Sequence, residues 1–388
     1  MTLLLVTLAF LILPIPAVAS GTIRVAIVLD ARSIDLRGDL RGDLRGDLRG
    51  ADLDVQELGG CERCPRARWR ADAVLVTIMP GGLDVAGRRG AGFRIQSDRP
   101  IRVNGREYAG TLDALKLGDG IALVDELPLK EYLVGVLRAE AGERWPAEAL
   151  RAQAIAARTY AAYQRQLNAG KPYHIIASTA HQQFAGRVPA TSPAWDAVRD
   201  TAGQVLRWEG DLFPAFYHTE SGGFTEDPRT VFAARNMPGL TPVRCPFSAG
   251  SPHFYWSLDL RLADLSDVLR KNDVGVGTVT AIEVTERTAT LRATVVTVRG
   301  ATGVVRLRGN DFRRMVGYDT LKSTLFAVVM EGDVAHFSGR GYGHGVGLCQ
   351  WGARGMAEQG YTAKQILGFY YPGTTFDSLE SESPVRRP

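Results

Sequence analysis

Between residues 22 and 124 apolar and polar positions alternate in short runs, the period of a half-buried strand. TIRVAIVL (22–29), AVLVTIM (73–79), FRIQ (93–96), IRVN (101–104), REYAGTLDAL (106–115) and IALVD (121–125) each predict a strand. Turn residues separate them, among them Pro80-Gly81-Gly82 and Asn104-Gly105. An Asn-Gly pair between two such runs predicts a two-residue hairpin, because both residues tolerate positive φ. The period changes at Pro128. Leu133, Val136, Leu137 and Glu140 recur at i, i+3, i+4 and i+7, one face of a helix over 128–141. Pro146 is placed to open a second helix as its first residue. Leu150, Ala154, Ala157 and Ala161 give that helix a narrow apolar stripe of small side chains that admits a close neighbour, and Gly170 closes it.

Further on, a short helix is expected near 195–202, with strands at QVLRW (204–208) and FPAFYH (213–218). Alternation returns over 254–338 as a second β-rich block: TVTAIEVTE, TLRATVVTVRG, GVVRLRG, TLFAVVM and VAHFSG. Thr362 and Gln365 have the spacing of a capping box for a final helix. The fold class expected is α+β, a β-rich chain with a helical core. Its segments are a leader at 1–20, a β-rich region at 21–126, a mixed region at 127–250, the second β-rich region at 251–338, a Gly-rich motif with helices at 339–376, and a frayed polar tail at 377–388.

Two stretches break the pattern. Residues 36–53 repeat Arg-Gly-Asp-Leu with a period of four. Glycine at every fourth position weakens helix and strand alike, so the repeat is read as a solvated low-complexity loop. An adhesion ligand of the Arg-Gly-Asp type is the sharper alternative. The basic stretch CPRARWR (64–70) is read as part of the same exposed surface. Residues 3–19 are apolar but interrupted by Pro14 and Pro16, shorter than the ~20 residues a membrane helix needs. Ala17-Val18-Ala19 has the small-x-small form of a signal-peptidase site, so the protein is expected to be exported to the cell envelope or beyond.

Composition narrows the function. Hydrophobic residues at 45% and charged residues at 23% permit a large core and exclude global disorder. The net charge of +4 is too small for a dedicated nucleic-acid binder and suits an anionic polymer as substrate. Four cysteines are too few for a disulfide scaffold of this length. Cys61 and Cys64 form a C-x-x-C without a second one, so a local disulfide or free thiols are favoured over a redox or metal half-site. Cys245 and Cys349 are a second candidate pair.

Glu140 is the most informative residue. Its helical face is apolar, which places a carboxylate at the edge of the core. Burial disfavours the charged form and raises the pKa, as a general acid requires near neutral pH. The structural alternative is an ion pair with Arg138, Arg144 or Arg151. In FYHTESGG (216–223) a strand ends at His218 and breaks into Ser221-Gly222-Gly223, whose paired glycines allow close approach of the backbone to a ligand. GRGYGHGVGLCQWG (339–352) frames His344 with glycines but lacks the context of a dinucleotide fingerprint. Ser178, Thr179 and Gln182 stand near Phe184, a mixture suited to sugar recognition. No nucleophile elbow and no zinc-protease spacing occurs. His174, His181 and His218 are the alternative, a set that could meet in space around a metal, and no metal or cofactor is expected.

LPLKEYLVGVLRAE with WPAEALRAQAIAARTYA (127–161), STAHQQFAG (178–186), FYHTESGGFTED (216–227) and GRGYGHGVGLCQWGARGMAEQGYTAKQILGFYYPGT (339–374) together resemble the SpoIID/LytB family, named for stage II sporulation protein D and the amidase enhancer LytB. NGREYAGTLDAL (104–115) is similar to that family's N-terminal β region. The resemblance covers about 22–376. It implies a peptidoglycan enzyme, a lytic transglycosylase acting on glycan strands stripped of stem peptides, or else a non-catalytic enhancer of an N-acetylmuramoyl-L-alanine amidase. It makes 127–250 the catalytic region. It places the catalytic acid/base on Glu140 and glycan-binding roles on His218, Ser221, His344 and Gln350, with Ser178, Thr179, Gln182, Gly222 and Gly223 as further candidates. An amidase is the implied partner, with no nucleic acid. Some relatives bind zinc through cysteines near the STAHQQF segment, where this chain has Ala180 and His181.

Overall fold

The computed structural model describes residues 21–38, 40–42, 48–50, 53–59, 67–142, 144–232, 237 and 239–379. The leader-like segment, Cys61 and Cys64 lie outside them. Strand accounts for 40% and helix for 25%, so the chain is α+β with strands in the majority.

Two sheets build the N-terminal part, antiparallel throughout except for Ile175–Ile176, which pairs in parallel with Thr22–Ala31. One runs Ile175–Ile176, Thr22–Ala31, Gly120–Pro128, Thr111–Leu117, Gly92–Gln96, Leu53–Leu58, Arg68–Ala71. The other runs Arg106–Tyr108, Ile101–Val103, Ser33–Gly38, Ala73–Met79, Gly82–Val85, Arg88–Gly90. Alternate residues of both, such as Val25, Phe93 and Leu123 against Leu36, Val76 and Val103, fill one core. The Asn104-Gly105 hairpin forms as expected, with φ of 49° and 78°.

The repeat is not a simple loop. Ile34 and Leu36 are buried while Asp35 and Arg37 are exposed, so the first repeat unit continues a core strand paired with 73–77 and 101–103. The last one leads into Leu53–Leu58, with Leu53 and Val55 buried. Between them Leu40–Gly42 and Leu48–Gly50 pair as an antiparallel ribbon. An apolar residue at each end, in phase with the sheet, outweighs the glycines. Arg68–Ala71 likewise is an edge strand rather than a loop.

Eight helices are described: α1 (Leu129–Glu140), α2 (Ala147–Leu167), α3 (Ala194–Asp200), α4 (Pro228–Phe232), α5 (Leu262–Lys271), α6 (Gly309–Val316), α7 (Gln350–Glu358) and α8 (Ala363–Tyr370). α1 is buried from Tyr132 to Leu137, wider than the single face expected. Pro146 precedes α2 as its cap (φ −53°, ψ 142°) rather than opening it. α2 is buried on most of its circumference, not along one stripe, because two cores share it. Ala154, Ala157 and Ala161 pack into the sheet core, while Ala152, Ile155 and Ala156 pack against Leu348, Ile366 and Tyr370.

A third core lies within residues 256–337. It joins two three-stranded sheets to α5 and α6, neither of which the alternating pattern of that block predicts. The chain then returns to the middle of the molecule. Leu348–Cys349 pairs in parallel with Tyr217–His218, α7 and α8 follow, and Thr362 with Gln365 makes the expected capping box. Of the expected strand at 213–218 only Tyr217–His218 forms. The start of the expected frayed tail is a strand instead: Thr375–Ser378 pairs with Gln204–Trp208, and Asp377 accepts the Arg207 guanidinium at 2.5 Å, while residues 380–388 lie outside the described residues.

Candidate active site

Glu140 is the last residue of α1, so its side chain leaves the buried face where the helix meets solvent. Two elements close on it. Segment 178–186 lies across α1 at Gly135, where an added Cβ would stand 2.3 Å from the Phe184 ring. The missing side chain lets Phe184 pack on Tyr132 (5.2 Å between ring centres) and Ala185 N donate to Gly135 O at 3.1 Å. That seat brings the Gln183 N–H to Glu140 Oε1 at 2.7 Å. From the other direction the strand at 348–349 delivers the start of α7, and Gln350 Nε2 donates to Glu140 Oε2 at 3.3 Å. Both donors are neutral. Burial raises the Glu140 pKa above the ordinary carboxylate value, and the two hydrogen bonds oppose the shift without cancelling it. Arg151 is engaged by Glu148 and Asp200 instead.

A groove of about 670 Å³ opens over this carboxyl. The SpoIID-like segments supply Glu140, Ser178, Thr179, His181 and Gln183, then Tyr217 and His218. Residues beyond 300 supply Asn310, Arg313, Arg314, Tyr318, Asp319, Tyr342 and His344. Polar side chains interleaved with aromatic rings along an open groove suit a chain of sugars. His218 and His344 face each other with ring centres 5.4 Å apart. Burial drives both pKa values down, that of His344 to about 3, helped by neighbouring arginines. Both rings are therefore neutral at pH 7. His218 Nδ1 donates to the Val346 carbonyl (3.1 Å), leaving Nε2 as an acceptor without a partner among the described residues. His344 Nδ1 accepts from the Val346 N–H (3.0 Å), so its Nε2 carries the hydrogen.

The sequence-predicted residues divide. Glu140, Ser178, Thr179, His218 and His344 line the groove. Gln350 lies just behind it, on the acid. Gln182 is fully buried, linking the Tyr132 and Tyr217 hydroxyls (2.9 Å each) to the Ala157 carbonyl. Ser221, Gly222 and Gly223 do not line the groove. Ser221 is buried and its carbonyl accepts from Arg292 (2.7 Å), the Gly222 N–H is held by the Glu220 carboxylate (3.0 Å), and Gly223 O accepts from Cys245 N (2.8 Å). Gly222 has φ of 73° and packs against Leu325 and Arg340, so the close approach it permits is to the protein itself.

Each of the three candidate metal histidines has its Nδ1 engaged by the backbone. His174 Nδ1 accepts from Arg24 N and His181 Nδ1 from Ile176 N, both at 3.1 Å, while His218 is held by Val346. Among the described residues no three His, Cys, Asp or Glu side chains gather as a metal site. Cys245 and Cys349 are buried free thiols in mutual hydrogen-bonding contact behind the groove. Sequence reasoning missed the residues from α6 and Tyr342. Asn310 and Arg314 at i, i+4 belong to no motif, and only the Gly-rich run beside Tyr342 pointed toward this part.

Comparison with known proteins fits the geometry. The family model described as stage II sporulation protein matches residues 118–208, which hold α1, α2 and the 178–186 segment. A model described as a domain of unknown function matches 247–347, which hold α5, α6 and His344. The chain is similar to an uncharacterized protein of Brachyspira hyodysenteriae, 31% identical over 285 residues, covering 73% of this chain and 75% of that one. It is 28% identical to stage II sporulation protein D of Bacillus subtilis over 273 residues, 66% of this chain and 77% of that protein. It is also 28% identical to the amidase enhancer of the same organism over 328 residues, 72% of this chain and 45% of the enhancer.

Proposed function

The chain belongs to the SpoIID family, and from that membership we propose that it is a peptidoglycan lytic transglycosylase with Glu140 as both acid and base. The observation that supports the reading is the Glu140 carboxyl: desolvated, facing a groove, its oxygens steered by two neutral N–H donors. A hydrolase of glycosidic bonds employs two carboxylates flanking the bond. Here the other carboxylate of the lining, Asp319, is occupied by the Tyr342 hydroxyl.

One carboxyl suffices when the nucleophile belongs to the substrate. Protonated Glu140 gives its proton to the glycosidic oxygen as the bond breaks. The carboxylate so formed takes the proton of the muramoyl 6-hydroxyl, whose oxygen closes on the anomeric carbon and leaves a 1,6-anhydro end. The attack is intramolecular, so positioning replaces a bound water. The raised pKa serves the first step, and the Gln183 and Gln350 donors stabilise the carboxylate present between the steps. Ser178, Thr179 and the neutral imidazoles of His218 and His344 bind the sugars. Strands stripped of stem peptides are the substrate, an amidase that strips them is the partner, and residues 1–20 export the protein to the envelope. Among the described residues no helix is long and apolar enough to cross a membrane.

The similarity to an amidase enhancer favours a second reading, a glycan-binding protein that stimulates an amidase without cutting. Mass spectrometry of denuded strands after incubation separates the two. New anhydro-muramoyl ends, lost in Glu140→Gln, support the enzyme. Glycan binding with amidase stimulation and no new ends supports the enhancer.

A further inference from the structure

Among the described residues one cation of the groove, Arg314, has nothing to answer it. On α6, Asn310 and Arg314 stand at i and i+4, on one face, and both line the groove. The adjacent Arg313 turns inward. It is buried, its guanidinium donates to the Leu321 carbonyl (2.8 Å) and the Tyr318 carbonyl (3.2 Å), and it lies over the Tyr318 ring at 4.6 Å. Asp319 is engaged by Tyr342. Arg314 is exposed and has neither an ion pair nor a hydrogen bond among the described residues. It is not among the groups that move the Glu140 pKa. The remainder of the lining near Glu140 is hydroxyls, aromatic rings and the imidazoles of His181, His218 and His344, whose pKa values burial lowers.

This inference rests on the reading of the groove as a glycan-strand site. The sugar rings of such a strand are uncharged. Its anion is the lactyl group of each muramoyl residue, and only after the stem peptide has been removed; with the peptide attached, that carboxylate is an amide. We propose that Arg314, with the Asn310 amide beside it, is the specificity-determining residue that binds the free lactyl carboxylate, so that the groove itself selects strands already stripped of peptide. A guanidinium presents two parallel N–H donors that match a carboxylate and gains far less from a neutral amide. An exposed arginine without an internal hydrogen bond or ion pair among the described residues breaks no such contact when it takes up the ligand.

The test compares denuded strands with the same strands after conversion of the lactyl carboxylates to methylamides. The wild type is expected to favour the acid form by about 10–100-fold in kcat/KM for anhydro-end formation, the worth of a hydrogen bond to a charged group. Arg314→Gln is expected to treat both strands alike, through a rise in KM on the acid form, and Arg314→Lys to keep part of the preference. Equal preference in the wild type and in Arg314→Gln overturns the proposal. Equilibrium binding of both strands to Glu140→Gln and to the Glu140→Gln/Arg314→Gln double variant separates it from the catalytic reading. If no anhydro ends form at all, the transglycosylase reading falls, while a carboxylate preference in binding that vanishes with Arg314 still upholds the assignment.

Discussion

Two acids whose pKa values burial raises, the half-buried Glu140 and the fully buried Asp125, differ in what surrounds them. Asp125 lies within the strand Gly120–Pro128, wholly covered, with neither carboxyl oxygen accepting a hydrogen bond from the described residues. Gly110 lies so close that an added Cβ would stand 1.9 Å from Oδ1. Burial, and then the nearby Glu131, pushes the Asp125 pKa up to about 7. The Glu140 pKa moves in the same direction for the same first reason. Yet Glu140 reaches a groove and has two donors waiting for its charged form, and Asp125 has neither. Desolvation alone makes a carboxyl reluctant to ionise. An acid/base that must pass through both states also needs an approach for its substrate and partners for its anion.

The contrast makes its largest prediction in activity. Glu140→Gln is expected to lower the rate of anhydro-end formation by about 10²–10⁴-fold, the usual worth of general acid–base catalysis, with no fall in melting temperature. Asp125→Asn is expected to leave that rate near wild type. A variant of Asp125 as inactive as that of Glu140 would erase the distinction.

The next effect is in stability. A carboxyl whose folded pKa lies above its unfolded value binds more protons in the native state. Its contribution is therefore complete below pH ~4 and declines as pH rises to about 7. Over that window the Asp125 carboxyl is expected to cost on the order of 4 kcal/mol, at 1.36 kcal/mol per pKa unit. Urea titrations from pH 4 to 8 should show the slope in the wild type and its loss in Asp125→Asn. The same sign for Glu140 governs catalysis: the rate falls on the alkaline side as the acid ionises.

The smallest effect concerns the donors. Gln350→Leu removes one hydrogen bond to the Glu140 anion, so the alkaline limb of the rate profile is expected to move to higher pH, by up to about one unit for a bond worth ~1 kcal/mol. Movement to lower pH would mean that Gln350 does not stabilise the charged form.

Glu140 was legible because Leu133, Val136 and Leu137 share its helical face and nothing else polar does. The helices of the middle of the chain, the Asn104-Gly105 hairpin and the Thr362 capping box were legible for similar local reasons. Gln350 was visible as a motif residue, but its partner lies 210 positions away and no local pattern announces that contact. The first repeat unit concealed a strand because Leu36 keeps the phase of Ile34 while its neighbours Arg37 and Gly38 look like linker. α5 and α6 were hidden in a block whose alternation is genuine for the strands on either side of them. Ser221-Gly222-Gly223 looked like a ligand cradle because glycine permits close approach, and sequence does not say approach to what.

The alanines of α2 have a consequence for how the molecule comes apart. One flank of this helix belongs to the sheet core and the other to the core beneath α7 and α8. Neither body can melt without stripping the shared wall from its neighbour, so the two should denature in a single cooperative step. The third core, spanning 256–337, has no share in that wall; what ties it to the rest is the buried Arg292 on the Ser221 carbonyl and Leu325 against Gly222.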